Sequence, residues 1–599
     1  MTAFRVAFLL WTASAWAQQR PGMLPKDHPA QPSQGRLAGA SKLTVSVAGR
    51  GAAPSGPIAR RNFIDEFVFS KMAKDGIPNA PLSGDWEFAR RVHLDLTGRL
   101  PDPEAAEKFV VSTDPDKRDK LVDELLKSPA YLAKWTYWFS DLAQVNSNRL
   151  GTDGRNLFYQ YIQDFLHLDR PYDEVVTEML TTRAASNYYV GPASYLVRWV
   201  VIGDNCEDEV HEDTSDEIAI WTAKHFLGLN LQCVSCHDGR RHLEKINLWL
   251  TERKRADLWK QAAFFGNTRI LRRTEIATTR DEYSIDDKGK GYDSSARSVV
   301  RVPRASKGQV EPAFLLTGEK PRPGQPLREE FARMLTTHPQ FARATVNMFW
   351  AEMMGAGIVD PVDDFDFTRL DGKLPEGWTA QATHPELLDA LAKDFRENGH
   401  SMRRLFGLIA KSSAYQLSSR FPGEWKDSYA RYWARKLVRR LTAEEMHDAI
   451  VKTTGVYHNI PVPNRGLTVK FATEARSPED FRRLGDVNFF LEAFGQPNRD
   501  YSQRTNDGAI TQAVLLMNSP MVKEKIKASP GSFVESLLEA RPEIGAGELA
   551  RRLFVRFLVR PPDETESAMA AKLLASNRRQ GAEDLQWLLV NKLEFVFNY

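Results

Sequence analysis

Helical spacing of apolar residues is the feature that most narrows what this chain can become. Leu121, Val122, Leu125 and Leu126 share one helix face, as do Leu132, Trp135, Phe139 and Leu142. Leu387, Leu388, Leu391 and Phe395 repeat the pattern in the second half. Start signals accompany these runs. Asp102-Pro103-Glu104 sets a capping residue before a proline at the first turn. Thr214-Ser215-Asp216-Glu217 and Thr383-His384-Pro385-Glu386 have capping-box spacing, and the first opens a stripe of Ile218, Trp221, His225 and Leu229. Ser477-Pro478-Glu479-Asp480 marks a further start. No repeat of about 20–50 residues recurs, which excludes a solenoid. The expected fold is mainly α, with two helical domains joined by an irregular segment that carries a short β-hairpin.

Two stretches interrupt this pattern. Residues 18–57 are rich in Pro, Gly, Gln, Ser and Ala and read as a flexible linker, with a short extended piece at Leu43–Val47. Residues 58–271 form the first helical domain. Residues 272–325 are dominated by Arg, Asp, Gly and Pro, and Val299-Val300-Arg301-Val302 suggests a hairpin or extended connector. Helical patterning resumes near Leu327 and makes 326–599 the second domain, with a loop at Asn459–Lys470. A chain of 599 residues has ample core for both.

The first seventeen residues have the plan of an export signal. Arg5 is a positive n-region, Val6–Trp11 an apolar h-region, and Ala15-Trp16-Ala17 a small-x-small cleavage site. Residues 1–17 are expected to be removed, leaving a periplasmic or secreted protein that begins at Gln18. No later stretch reaches the roughly 18 apolar residues of a membrane span. Apolar residues at 42% and charged residues at 27% exclude wholesale disorder. A net charge of +3, from 81 basic and 78 acidic residues, argues against a nucleic acid or an anionic membrane as the main partner.

Cysteine usage carries the sharpest chemical signal. Three cysteines exclude a disulfide framework and an all-cysteine iron–sulfur cluster from this chain alone. Two of them lie in Cys233-Val234-Ser235-Cys236-His237, the C-x-x-C-H spacing of c-type haem attachment. Two thiols three positions apart can each form a thioether to one porphyrin vinyl group, and the next residue brings an imidazole to the iron. Cys233 and Cys236 are thus expected to bind one covalent haem c, with His237 as the iron ligand. A Cys233–Cys236 disulfide, a structural zinc shared with Cys206 and a histidine, and an unliganded remnant stay open as alternatives. No second axial ligand is assigned: His211, His225, His242 and several methionines are candidates, and an open position is equally allowed. His225, on an apolar stripe, reads as a core histidine with a satisfied ring nitrogen, and His242 lies too near the proximal side.

Other clusters have structural explanations. The acidic run Glu207, Asp208, Glu209, Glu212, Asp213, Asp216 and Glu217, with His211, reads as a solvated loop plus helix-start carboxylates. Asp360, Asp363, Asp364 and Asp366 read as an acidic turn, with a cation or acid/base site as the functional option. Trp135, Tyr137, Trp138 and Phe139, at helical spacing, read as core before they read as a sugar platform.

Arg90-Arg91-Val92-His93-Leu94-Asp95-Leu96-Thr97-Gly98-Arg99-Leu100-Pro101, Leu121–Leu126 and Phe226–Cys233 resemble the planctomycete-type cytochrome c-like domain of unknown function. Ala344–Trp350, Gly357–Phe365, His384–Leu388, Phe494–Arg499 and Gln512–Pro520 are similar to its companion, a planctomycete-associated domain also of unknown function. The resemblance implies an exported protein whose haem is inferred from the same motif, with members often found beside secreted sulfatase-like proteins. Many members continue the motif as Cys-His-Asp-His-Pro, whereas here Asp238 is followed by Gly239-Arg240-Arg241-His242. A separate haem domain that often precedes the pair is missing, which leaves at most one haem.

The expected function is that of an exported monohaem c-type protein, in electron transfer or a redox-linked task with a periplasmic redox partner, a sulfatase-like secreted protein or an extracellular polymer. The alternative is a secreted hydrolase or polymer-binding protein in which the cysteine motif is structural. Whether the chain is an enzyme is left open.

Overall fold

The computed structural model describes residues 35–49, 51, 57–203, 209–275, 280–304, 308–371, 374–500, 504, 508 and 510–599. The expected signal peptide, most of residues 18–57, Glu207, Asp208 and Cys206 lie outside them. Helices dominate, and the sheets among the described residues are all two-stranded. No helix among these residues is long and apolar enough to cross a membrane.

The expected extended piece at Leu43–Val47 is instead the end of helix α1 (Leu37–Val47). Local β-propensity gives way to tertiary caps. Asp360 accepts hydrogen bonds from the backbone N–H groups of Arg36 and Leu37, each at 2.9 Å, and so closes the helix N-terminus. On the buried face, the Thr44 hydroxyl accepts from Val438 N at 2.8 Å.

Helix α2 (Asp85–Thr97) runs through the Arg-Arg motif and ends at Gly98, whose φ of 67° suits a residue without Cβ. Helix α3 (Pro129–Leu142) starts under the Ser128 cap and buries Trp135 and Phe139, so the aromatic stretch is core. Helix α4 (His211–Leu227) begins three residues before the expected capping box. Its acidic first turns are not solvated. Asp213 and Asp216 are buried against Arg304 at 2.6 and 2.7 Å, and Glu217 pairs with Arg301. The arginine-rich connector supplies those cations, a pairing that local charge density could not reveal. Helices α5 (Leu248–Thr251) and α6 (Arg255–Ala262) follow.

Strands β1 (Arg269–Glu275) and β2 (Arg280–Asp286) form the antiparallel hairpin, with Arg269 opposite Asp286. It straddles the start of the expected connector, and Val299–Val302 is not a strand. Beyond it, α7 (Pro339–Met354) packs against α4 and α8 (Pro385–Glu397). Helix α8 starts where expected, but the Thr383 hydroxyl bonds to Ile358 O at 3.3 Å and does not close a capping box. The helix start expected at Ser477 opens only one 3₁₀ turn, Pro478–Phe481, which Ser477 and Asp480 close as a capping box. β3 (Arg439–Arg440), α9 (Ala443–Thr454), β4 (Ile460–Val462), β5 (Leu467–Val469), α10 (Ala546–Leu558) and β6 (Phe597–Asn598) complete the elements used below. Antiparallel β4 and β5 replace the loop expected at Asn459–Lys470, because Ile460 and Val462 bury their side chains.

Two hydrophobic cores hold these elements. The larger gathers buried residues from Ile64 to Leu437 and so crosses the connector. The smaller joins Leu94, Leu100, Ala106 and Tyr137 to residues between Leu441 and Phe595. Polar motif residues seal the seam. Arg91 donates to the carbonyls of Tyr415 at 2.9 Å and Leu417 at 2.8 Å and to the backbone oxygen of Tyr599 at 3.1 Å. Replacing it leaves buried acceptors without donors, each costing about 1–3 kcal/mol. Arg91→Ala is expected to lower unfolding free energy by about 3 kcal/mol or more, read as a reduced denaturation midpoint in urea.

Candidate functional site

Helix α4 stops at Gly228, in the left-handed region at φ 65°, where a Cβ would lie 2.7 Å from the Phe365 ring. The chain then turns under the second half of the molecule and enters a 3₁₀ turn, Cys233–Ser235. Cys236 N and His237 N both bond back to Cys233 O, at 3.2 and 3.4 Å, which wraps the motif around one carbonyl. The Ser235 hydroxyl bonds to Gln232 O at 2.6 Å and fixes the turn further. Cys233 and Cys236 are both thiols, not bridged to one another, and both are half-buried.

His237 is also half-buried, and its Nδ1–H donates to Asp238 O at 2.9 Å. That bond sets the tautomer and leaves the Nε2 lone pair for a metal. The Asp238 carboxylate accepts from Arg255 N at 2.9 Å, at the start of α6. The Arg255 guanidinium donates to Ser235 O at 3.3 Å and to the carbonyls of Val302 and Pro303 at 3.0 Å, so one side chain ties motif to connector. Gly239 accounts for the departure after Asp238. A Cβ there would sit 1.9 Å from Leu250 O, so no histidine fits this position on this backbone.

The other histidines sort clearly. The His242 ring lies 4.1 Å from that of His237. His225 is buried, shares a hydrogen bond of 3.2 Å with the Tyr195 hydroxyl, and is pushed down to about 3 by burial. His211 donates from Nε2 to Gly266 O at 2.8 Å and Gly291 O at 3.1 Å, which occupies that nitrogen.

The acidic stretch Asp360–Asp366 does not face solvent as a cation cup. It lies against the end of α4 and the start of α5. Asp360 caps α1, Asp363 pairs with Lys224 at 3.1 Å, and Asp364 accepts from Asn247 Nδ2 at 2.8 Å. Asp366 accepts from Leu248 N at 2.8 Å and Trp249 N at 3.0 Å and so caps α5. Among the described residues, no group of three His, Cys, Asp or Glu side chains is arranged to hold a metal ion. Asp364 is the member that reaches the motif. Burial, followed by Asp363 and Asp366, raises its pKa to about 7, and burial with help from Asp364 and Cys236 pushes the Cys233 thiol up to about 11.

Residues 63–269 match PSCyt2, a protein of unknown function (DUF1549), and residues 327–574 match PSD1, a protein of unknown function (DUF1553). The chain carries the PSCyt2 and PSD1 domains, in that order. No curated protein and no solved structure matches it.

Most PSCyt2 and PSD1 signature residues are scaffold. Arg90, Arg91 and Asp95 of PSCyt2 bind partners in the last third of the chain. In PSD1, the Asn347 amide pairs with both backbone groups of Val359, at 2.8 and 2.9 Å, and Arg499 Nε binds Asp141 at 2.6 Å. The motif's companions Asp364, Asn247 and Arg255 were not tied to it in the sequence. Asp364 belonged to a recognised acidic cluster, but its bond to Asn247 and its electrostatic effect on Cys233 arise only when PSD1 folds onto PSCyt2. An Asp364 pKa raised above its unfolded value means the unfolded chain ionises first, so this group removes stability as pH rises from about 4 to 7. Asp364→Asn, which keeps the acceptor for Asn247, is expected to raise stability at pH 8 by about 1 kcal/mol or more and to change little at pH 4, as followed by thermal melts.

Proposed function

We propose that this protein is an exported monohaem c-type protein in which Cys233 and Cys236 hold the haem covalently and His237 ligates its iron. The supporting observation is the donor set itself: two unbridged, half-buried thiols on one 3₁₀ turn, followed by an imidazole whose Nδ1–H is taken by Asp238 O. A haem bound there supplies one-electron redox chemistry, tuned by its ligands, hydrogen bonds and burial. Asp238 holds the ring so that Nε2 carries the lone pair. Arg255 braces the turn from α6, and Gly239 keeps the following loop against α5.

The surroundings favour contact with a partner. Asp238, Arg240, Arg241 and His242 are exposed next to the half-buried motif, so its surface is open to another protein. A cleft of about 510 Å³ and an apolar void of about 30 Å³, the latter lined by His225, both lie away from it. An open surface of this kind fits electron transfer to a periplasmic redox partner. The Asp360–Asp366 carboxylates, which a hydrolase reading would use, are engaged in capping and pairing.

Expression in a host that matures haem c tests the proposal. The denatured protein should retain one covalent haem and show a c-type reduced spectrum. Cys233→Ala with Cys236→Ala should abolish the covalent haem, whereas His237→Ala should keep the thioethers and alter the axial spectrum. A colourless, folded, metal-free product rejects the proposal, and stoichiometric zinc replaces it with a structural site. Export is checked separately: the periplasmic form should begin at Gln18 by mass spectrometry of its N-terminal peptide.

A further inference from the structure

The cleft of about 510 Å³ lies where the first turn of α2 meets the segment after α10, remote from the cysteine motif. Its volume is in the range of small-ligand sites, about 300–1,000 Å³. The half-exposed rings of Trp86 and Tyr599 line it, with Val559 and Pro561 adding carbon. Val559, only 1% exposed, is held at φ 56° and ψ 43°, a left-handed conformation that a β-branched side chain rarely adopts. Strain of this kind concentrates at binding and catalytic sites.

The charges in the cleft balance. Arg90, Arg420 and Arg560 face Glu87, Asp563 and Glu594. Glu87 already accepts from Arg91 at 2.7 Å, Asp563 from Glu566 N at 2.8 Å, and Glu594 from Arg560 Nε at 2.9 Å. Arg90 spends its terminal nitrogens on the carbonyls of Glu594, Phe595 and Phe597 at 2.6, 3.2 and 3.3 Å. Its buried Nε has no hydrogen-bond partner, and Arg420 is exposed without a carboxylate among the described residues.

We propose that this cleft binds a sugar residue of a glycan chain. A pyranose has a C–H face that stacks on an indole or phenol ring, and an edge of hydroxyls that both donate and accept. Carboxylates and guanidinium groups already paired with protein can take such hydroxyls on their remaining positions without a change of net charge. A phosphate would meet three carboxylates, and of the lining cations Arg560 is already paired with Glu594 and Glu566 while Arg90 is spent on backbone carbonyls. An extended peptide is commonly recognised by adding to a strand edge, and none of the lining residues lies in a strand. The reading rests on the cleft alone and is independent of the haem.

Calorimetric titration of the full-length protein with cellohexaose, hexagalacturonate and a proline-rich decapeptide decides it. At least one saccharide should bind and the peptide should not, with the sugar signal seen also as a change in tryptophan fluorescence. Trp86→Ala should weaken that binding about tenfold or more. Arg420→Gln, at an exposed position that leaves folding intact, should weaken it severalfold, and Trp378→Ala, outside the cleft, should not change it. Failure of both saccharides to bind at millimolar concentration overturns the proposal. So does wild-type affinity in a folded Arg420→Gln and Trp86→Ala pair, or binding of the peptide alone.

Discussion

The Asp95 carboxylate, fully shut off from water, is the interaction around which the two halves of this molecule are built. Burial alone would keep it protonated, but Lys436, Arg439 and Lys134 hold it below the usual carboxylate range. Tyr415 donates to it at 2.8 Å, Arg439 at 2.9 Å and Asn598 at 2.8 Å. Those donors lie between 320 and 503 positions away along the chain. An uncompensated buried charge is far costlier than a lost surface contact, so the PSCyt2 helix that carries Asp95 is complete only when PSD1 and the end of the chain are in place. Arg90 and Arg91 on the same helix act alike, taking carbonyls that no helix or sheet satisfies.

A second junction lies beside the cysteine motif, and it too runs through carboxylates of PSD1. Asp360, Asp363, Asp364 and Asp366 reach back to α1, to α4, to Asn247 and to α5. A carboxylate at a helix start satisfies orphan amides and complements the positive end of the helix dipole. The cluster therefore acts as a clasp, and its inner member, Asp364, places PSD1 in electrostatic contact with Cys233. Whatever the motif carries, its surroundings are set by both domains. The larger core, shared across the connector, makes the same point in apolar terms.

Much of the local architecture was legible. The stripes at Leu132–Leu142 and Leu387–Phe395 are helices, the Asp102-Pro103 start holds, and His225 is the core histidine its stripe position suggested, whereas the capping boxes expected at Thr214 and Thr383 do not form and the start at Ser477 gives only a 3₁₀ turn. Period and capping are short-range properties, readable from neighbours a few residues apart. The failures share the opposite property. Leu43–Val47 is helical because a carboxylate more than 300 positions away caps it, and the acidic run at α4 is buried because connector arginines cover it. The hairpin β4–β5 forms where apolar side chains find a core that composition does not announce.

At the site the same division applies. Sequence by itself determined the motif chemistry: two thiols at fixed spacing, the adjoining imidazole, and the family pairing that the two domain matches bear out. It also determined which residues start and line most helices, because those rules act over one or two turns. Tertiary structure alone decided that the charge of Asp364 acts on Cys233, that Arg255 braces the turn, that Gly239 leaves no room for a side chain, and that Trp86 and Tyr599 share a cleft. Those facts depend on contacts between segments hundreds of residues apart, where burial sets the strength of each charge and hydrogen bond and no local pattern records the partner.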